Sequence, residues 1–226
     1  MTVKVNGKNG ILWLAVLMMG ILSCDVSYAS DDWGFWQDAN VNVQITDDLK
    51  LKLNQEAKFR DDFSEYFYIH GDVKLMYRLF SWMDVGASFR HIEAKGASGD
   101  WENEERPYVE MALKTELSGF KISTRARLER RIRTNKSDRW RFRNKLTVTP
   151  PVKWTPFEIQ PYIADEIFFT IEDNRFDQNR IYAGIKSKLT ETLSAKFYYM
   201  WKLNYQSSTT IWRASNVLGG AVSMKF

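Results

Sequence analysis

Apolar and polar residues alternate one by one along most of this chain. The pattern is cleanest between residues 120 and 148. Phe120, Ile122, Thr124, Ala126 and Leu128 interleave with Lys121, Ser123, Arg125, Arg127 and Glu129. After a polar interruption, Trp140, Phe142, Leu146 and Val148 interleave with Arg139, Arg141, Arg143, Lys145 and Thr147. A period of two sends the two sets to opposite faces of a β-sheet. The same reading predicts strands at 36–45, 49–59, 67–79, 84–92, 106–117, 120–131, 140–149, 157–171, 180–189, 193–203 and 211–226. Pro150-Pro151 ends one of them, because proline cannot donate to a ladder. Connections at 46–48, 80–83, 118–119 and 190–192 read as tight turns; those at 60–65, 93–105, 132–138, 172–179 and 204–210 read as longer polar loops.

The N-terminus changes what the alternation means. Lys4 and Lys8 precede an unbroken apolar run, Ile11–Leu22, which is the size of a signal-peptide core and too short to span a bilayer. Ser27-Tyr28-Ala29 offers a cleavage site, giving a leader at 1–29 and one mature domain at 30–226. A lipobox-like reading of Ile21-Leu22-Ser23-Cys24, around the single cysteine, stays open. In an exported chain, alternation without a transmembrane helix predicts an all-β protein: a single antiparallel transmembrane β-barrel, apolar outside and charged within. Mean hydropathy of −0.41 suits such a barrel with a wet interior. Aromatics make up 15 % of the chain and can supply interfacial girdles. On this reading Trp36, Trp82 and Trp154 lie near the tight turns, and Trp101, Trp140 and Trp212 near the loops.

The eleven segments conflict with the even strand number of closed single-chain bacterial barrels. About twelve strands are therefore expected, with ten as the alternative. The last segment ends on Phe226, in phase with Val222 and Met224. A final amphipathic strand closing on phenylalanine resembles the signal by which bacterial barrels are recognised for outer-membrane assembly.

Four stretches carry a family resemblance across nearly the whole mature chain. They are Trp33-Gly34-Phe35-Trp36, Arg139-Trp140-Arg141-Phe142-Arg143-Asn144, Pro161-Tyr162 through Glu166-Ile167-Phe168-Phe169, and Phe176-Asp177-Gln178-Asn179-Arg180. They resemble a group of small Gram-negative outer-membrane barrels of unknown function. That resemblance implies the fold and the outer membrane of a Gram-negative bacterium, but no activity. A looser similarity, in architecture and basic lining, is to small anion-selective oligosaccharide porins.

An enzyme is not expected. The two histidines, His70 and His91, lack the His-x-Ser arrangement of outer-membrane lipases and deacylases, and no second acidic pair accompanies His70 and Asp72. No cofactor or metal site is expected, and no nucleic-acid role. The lining is more informative: the phase opposite the apolar one collects about 23 basic residues against about 8 acidic ones. A barrel filled by ion-paired side chains would need near-equal numbers, because uncompensated buried charge is costly. Arg125, Arg127, Arg131, Arg139, Arg141, Arg143, Lys145, Arg180 and Lys186 are the candidate anion-binding residues; Val222, Met224 and Phe226 are the candidate assembly signal.

The first functional reading is a basic, water-filled lumen that passes or binds small anionic solutes. The alternatives are a structural or envelope-assembly barrel with a plugged lumen, and a lipid-modifying enzyme. Expected partners are outer-membrane lipids and lipopolysaccharide, the barrel-assembly machinery and small anionic solutes. Solute identity and oligomeric state stay open.

Overall fold

The computed structural model describes residues 26–27, 33–96, 98–134, 136–155 and 158–226. These residues form one sheet of twelve strands: β1 (Val26–Ser27), β2 (Trp33–Gln44), β3 (Leu49–Arg60), β4 (Glu65–Phe80), β5 (Met83–Lys95), β6 (Trp101–Leu117), β7 (Phe120–Arg133), β8 (Lys136–Thr149), β9 (Gln160–Thr170), β10 (Arg175–Lys188), β11 (Leu193–Gln206) and β12 (Ile211–Lys225). Each of β2 to β12 pairs antiparallel with its neighbour in sequence, and β12 pairs back onto β2, closing the ring. Closure leaves no unpaired sheet edge.

Eleven strands make the ring, close to the twelve expected. β1 is not an additional stave. It continues the edge of β12 that β2 occupies, with Val26 opposite Trp212 and Ser27 opposite Arg213. The odd number has a geometric consequence: in an up-and-down meander of eleven, first and last strands run the same way. The seam is accordingly parallel, from Asn216 opposite Trp33 to Lys225 opposite Asn42, and the ring is antiparallel everywhere else. Phe226 finishes the seam through its main chain, donating from its N–H to Asn42 O at 2.9 Å and accepting from Gln44 N–H at 2.9 Å. The expected leader and its cleavage site fall almost wholly outside the described residues.

The alternation resolves into an apolar exterior and a charged interior. Val73, Phe89, Val109, Ile163 and Phe197 point outward and are exposed, while Glu129 and Glu166 point inward and are buried. Exposed aromatics gather at both rims: Trp82, Trp154 and Phe120 at one, Trp33, Trp101 and Trp140 at the other. Trp36 is not among them. It lies inside the barrel, buried, in phase with the inward Asp38 rather than the outward Phe35.

The polar segments expected as long loops are largely strand. β5 runs to Lys95 and β6 resumes at Trp101; β7 runs to Arg133 and β8 begins at Lys136; β10 begins at Arg175. The hydrophobic alternation stops before the ladder does. Past an apolar belt both faces meet water, so both become polar, yet the backbone bonds still pair. We call this the loop end; the opposite, turn end carries the connections at 81–82, 118–119 and 150–159. At one of these, Ser118 and Gly119 both take positive φ (51° and 80°), the two-residue hairpin geometry that glycine favours.

Inward glycines make space for large inward neighbours. A Cβ on Gly219 would collide with the ring of Tyr198 across the β11–β12 pair. Gly219→Val should therefore lower stability by about 1–3 kcal/mol or more, as overpacking does. The check is the temperature at which the detergent-solubilised barrel loses its compact migration on a gel.

Candidate functional site

The lumen is the candidate site, and its two halves differ. Across the middle, carboxylates are each shared among several cations. Glu129 on β7 accepts from Arg141 Nη2 and Arg143 Nη1, both at 2.7 Å, and from Arg127 Nη1 at 3.3 Å. Arg106 Nη1 stands 3.6 Å away. Glu166 on β9 accepts from Arg143 Nη2 at 2.8 Å, Arg125 Nη2 at 3.2 Å and the Tyr182 hydroxyl at 2.9 Å, with Arg180 Nη1 at 3.7 Å. Glu110 on β6 takes Lys74 Nζ at 3.0 Å and Arg127 Nη2 at 2.8 Å. One chain of contacts thus runs Lys74–Glu110–Arg127–Glu129–Arg143–Glu166–Arg180, from β4 round to β10.

Aromatic faces complete the band. Arg143 and Arg180 lie 4.6 and 4.5 Å from the Phe168 ring centre; Lys58 lies 3.7 Å from that of Trp36, and Arg127 4.0 Å from that of Tyr108. These are cation–π distances. Beside them Trp36, Tyr162, Ala164, Tyr182, Met200 and Val217 form an apolar cluster reaching from β9 and β10 to β11, β12 and β2. Glu129, Phe168 and Met200 are 0 % exposed. Residues lining an open channel would be wet; these are packed into a band of paired side chains across the middle of the barrel, here called the plug.

Below it, toward the turn end, lies a cavity of about 760 Å³. Its rim includes Asp48, Lys153, Glu158 and Lys188, and its floor includes Arg127, Arg143 and Glu166 of the plug. Glu104, Arg131, Arg139 and Asp173, on the loop side, do not line it. Its mouth lies at the turn end, and we call it the cup. Eighteen of its lining residues are lysine or arginine and eight are aspartate or glutamate. Lys50 and Lys52 have no hydrogen-bond or ion-pair partner among the described residues. At the rim, a 2.8 Å hydrogen bond from Lys153 holds the Glu158 carboxyl below its ordinary range.

The nine anion-binding candidates do not form one ladder. Arg127, Arg141, Arg143 and Arg180 belong to the plug. Arg131 and Arg139 sit on its loop side, bound to Glu104 and Asp173. Arg125, Lys145 and Lys186 line the cup's wall, while Arg127, Arg141, Arg143 and Arg180 border it from the plug. Phe226, Val222 and Met224 are outward and exposed.

Sequence reasoning missed Glu104, which accepts from both Arg106 and Arg131, because it was assigned to a loop. Carrying the inward phase of Arg106 and Glu110 two residues back would have found it. It also missed the role of Tyr108, Phe168 and Trp36, since an aromatic in the polar phase gives no signal of the cation stacked on it.

Fold and lumen together define a closed β-barrel with an apolar surface and a charged, centrally blocked interior. Residues 33–213 match the family described as "Protein of unknown function (DUF2490)", and the chain belongs to that family. No curated protein matches the chain. The match agrees with the resemblance drawn from the four sequence stretches and brings no activity with it.

Glu129→Ala should cost about 3–5 kcal/mol, because it leaves the buried Arg141 guanidinium without its carboxylate and takes one from Arg143 and Arg127. Lys52→Met, in the open cup, should change stability by less than about 0.5 kcal/mol, as surface substitutions do. Urea unfolding of the detergent-solubilised barrel, followed by tryptophan fluorescence, compares the two.

Proposed function

We propose that this protein is an outer-membrane β-barrel that binds small anionic solutes in a cup facing the periplasm, and that its ion-pair plug keeps it from being an open pore. The single observation carrying this reading is the cup itself: an accessible cavity, closed at one end, with a large excess of cations over acids. An exterior of exposed Val, Ile, Leu and Phe supports the membrane, because water disfavours an apolar surface on that scale. Aromatic rims and the in-phase Val222, Met224 and Phe226 support a bacterial outer membrane and recognition by its assembly machinery. The turn end is assigned to the periplasm and the extended polar hairpins to the outside, where lipopolysaccharide would surround them.

The plug gives weight to the second reading, a structural or envelope-assembly barrel. It argues against free passage, because a dry band of paired side chains offers a solute no path. We assign no catalytic residue. Both nitrogens of His70 are engaged, Nε2 by Asn54 Oδ1 at 2.7 Å and Nδ1 by Glu56 Oε2 at 3.2 Å.

Two experiments test the reading. Fractionated cells should carry the protein in the outer membrane with heat-modifiable migration, and deleting Phe226 should reduce assembly without blocking export; recovery as a soluble periplasmic monomer would refute the barrel's location. In planar bilayers the purified protein should give no steady conductance, while multivalent anions should raise its thermal midpoint. A steady anion current would restore passage, and absence of any anion effect would favour the structural barrel.

A further inference from the structure

Within the cup, one wall lacks what the plug possesses. Antiparallel pairing places Arg125 opposite Lys145 and Lys186 opposite Lys196. Like charges directly opposite on neighbouring strands destabilise a sheet. The plug contains the same kind of pairs, Arg127 opposite Arg143 and Arg90 opposite Arg106, but there carboxylates lie between or beside them. Among the described residues, the cup wall has no such bridge for Lys186 and Lys196. Lys186 Nζ reaches only the neutral Thr149 Oγ1 at 3.2 Å; Lys145 Nζ lies 3.4 Å from the Tyr182 ring centre and Lys196 Nζ 5.0 Å from that of Tyr162. Glu166 binds Arg125 and stands opposite Lys145 across β8–β9, so the unbridged pair is Lys186 and Lys196; Asp38 and Glu166 act on Lys196 from beyond ion-pair distance. Lys196 lies in electrostatic range of Arg125, Lys145 and Lys186, so the four cations form one cluster.

We propose that Lys145, Lys186 and Lys196, with Arg125 at their edge, form a binding subsite for a phosphate group, free or carried on a small solute. The bound group takes the place that Glu129 and Glu166 fill in the plug, bridging cations of neighbouring strands. Three of the four donors are lysines. Their compact, freely rotating ammonium groups suit the tetrahedral oxygens of phosphate, whereas the flat forks of the plug suit planar carboxylates. Tyr162 and Gln160 line the same stretch and can donate further hydrogen bonds. The proposal rests on the cup being an anion-binding site and adds its location and chemistry.

The test uses the folded barrel in detergent, with inorganic phosphate as probe and acetate at matched ionic strength as comparison, read by calorimetric titration. Phosphate should bind and acetate should not. In Lys186→Gln/Lys196→Gln the half-saturating concentration should rise about tenfold or more, the loss expected from removing charge-assisted contacts. In Lys50→Gln/Lys52→Gln, elsewhere on the cup wall, it should change less than about twofold. Gel mobility before and after heating confirms that each variant is folded; Lys186→Arg, which keeps the charge, should retain phosphate binding. Equal weakening by both double variants would overturn the subsite and leave a diffuse cationic cup. Equal binding of acetate would overturn the phosphate assignment. Failure of the wild type to bind either anion would overturn the cup reading itself.

Discussion

The rest of this structure depends on guanidinium–carboxylate pairing in a place with little water. An apolar exterior forces the polar phase of every strand inward, and eleven strands enclose too narrow a space for all those side chains to stay hydrated. A buried charge without a partner costs several kcal/mol, so the acids that are present must be shared. Glu129 serves several arginines and Glu166 serves Arg143, Arg125 and Arg180. Sharing gives many cations a carboxylate contact from few acids, and it ties six strands together between β4 and β10. The aromatic faces of Phe168, Tyr108 and Trp36 add cation–π contacts to cations that are already paired with acids, Arg143, Arg127 and Lys58.

Much of the fold was legible in the alternation alone, because the outward-facing and lumen-facing phases differ sharply in hydropathy. The hairpin of Phe120–Arg133 and Lys136–Thr149 was readable nearly residue by residue. What the alternation could not convey was its own termination. Glu93 to Lys95 and Trp101 to Glu105 lose the pattern yet remain paired, since a ladder needs backbone groups and not hydrophobic side chains. Strand number was readable as eleven segments; the rule of even numbers pulled the expectation toward twelve, and the parallel β12–β2 seam is what an odd ring requires. Composition also misled about the lumen. A count of cations against acids treats charges as independent, whereas one glutamate reaching several arginines gives each plug arginine a carboxylate contact while, among the described residues, Lys186 and Lys196 of the cup have none.

That division gives the lumen its functional logic. Where carboxylates reach the cations, the side chains lock together and exclude water; where they do not, the barrel stays open and keeps its positive charge. Lysine dominates the open part and arginine the closed part, in line with the stronger hydration of ammonium and the bidentate geometry of guanidinium. A basic cup above a floor of paired side chains is the arrangement that the proposed anion-binding role requires.

Access from each side of the bilayer tests the one-ended cup most directly. In a Cys24→Ser background, Lys52→Cys places a thiol in the cup, to be challenged with a membrane-impermeant thiol reagent on protein inserted in one orientation. Reaction from the turn side alone is the predicted result. Equal reaction from the loop side would mean that the plug is not a barrier and would contradict the account.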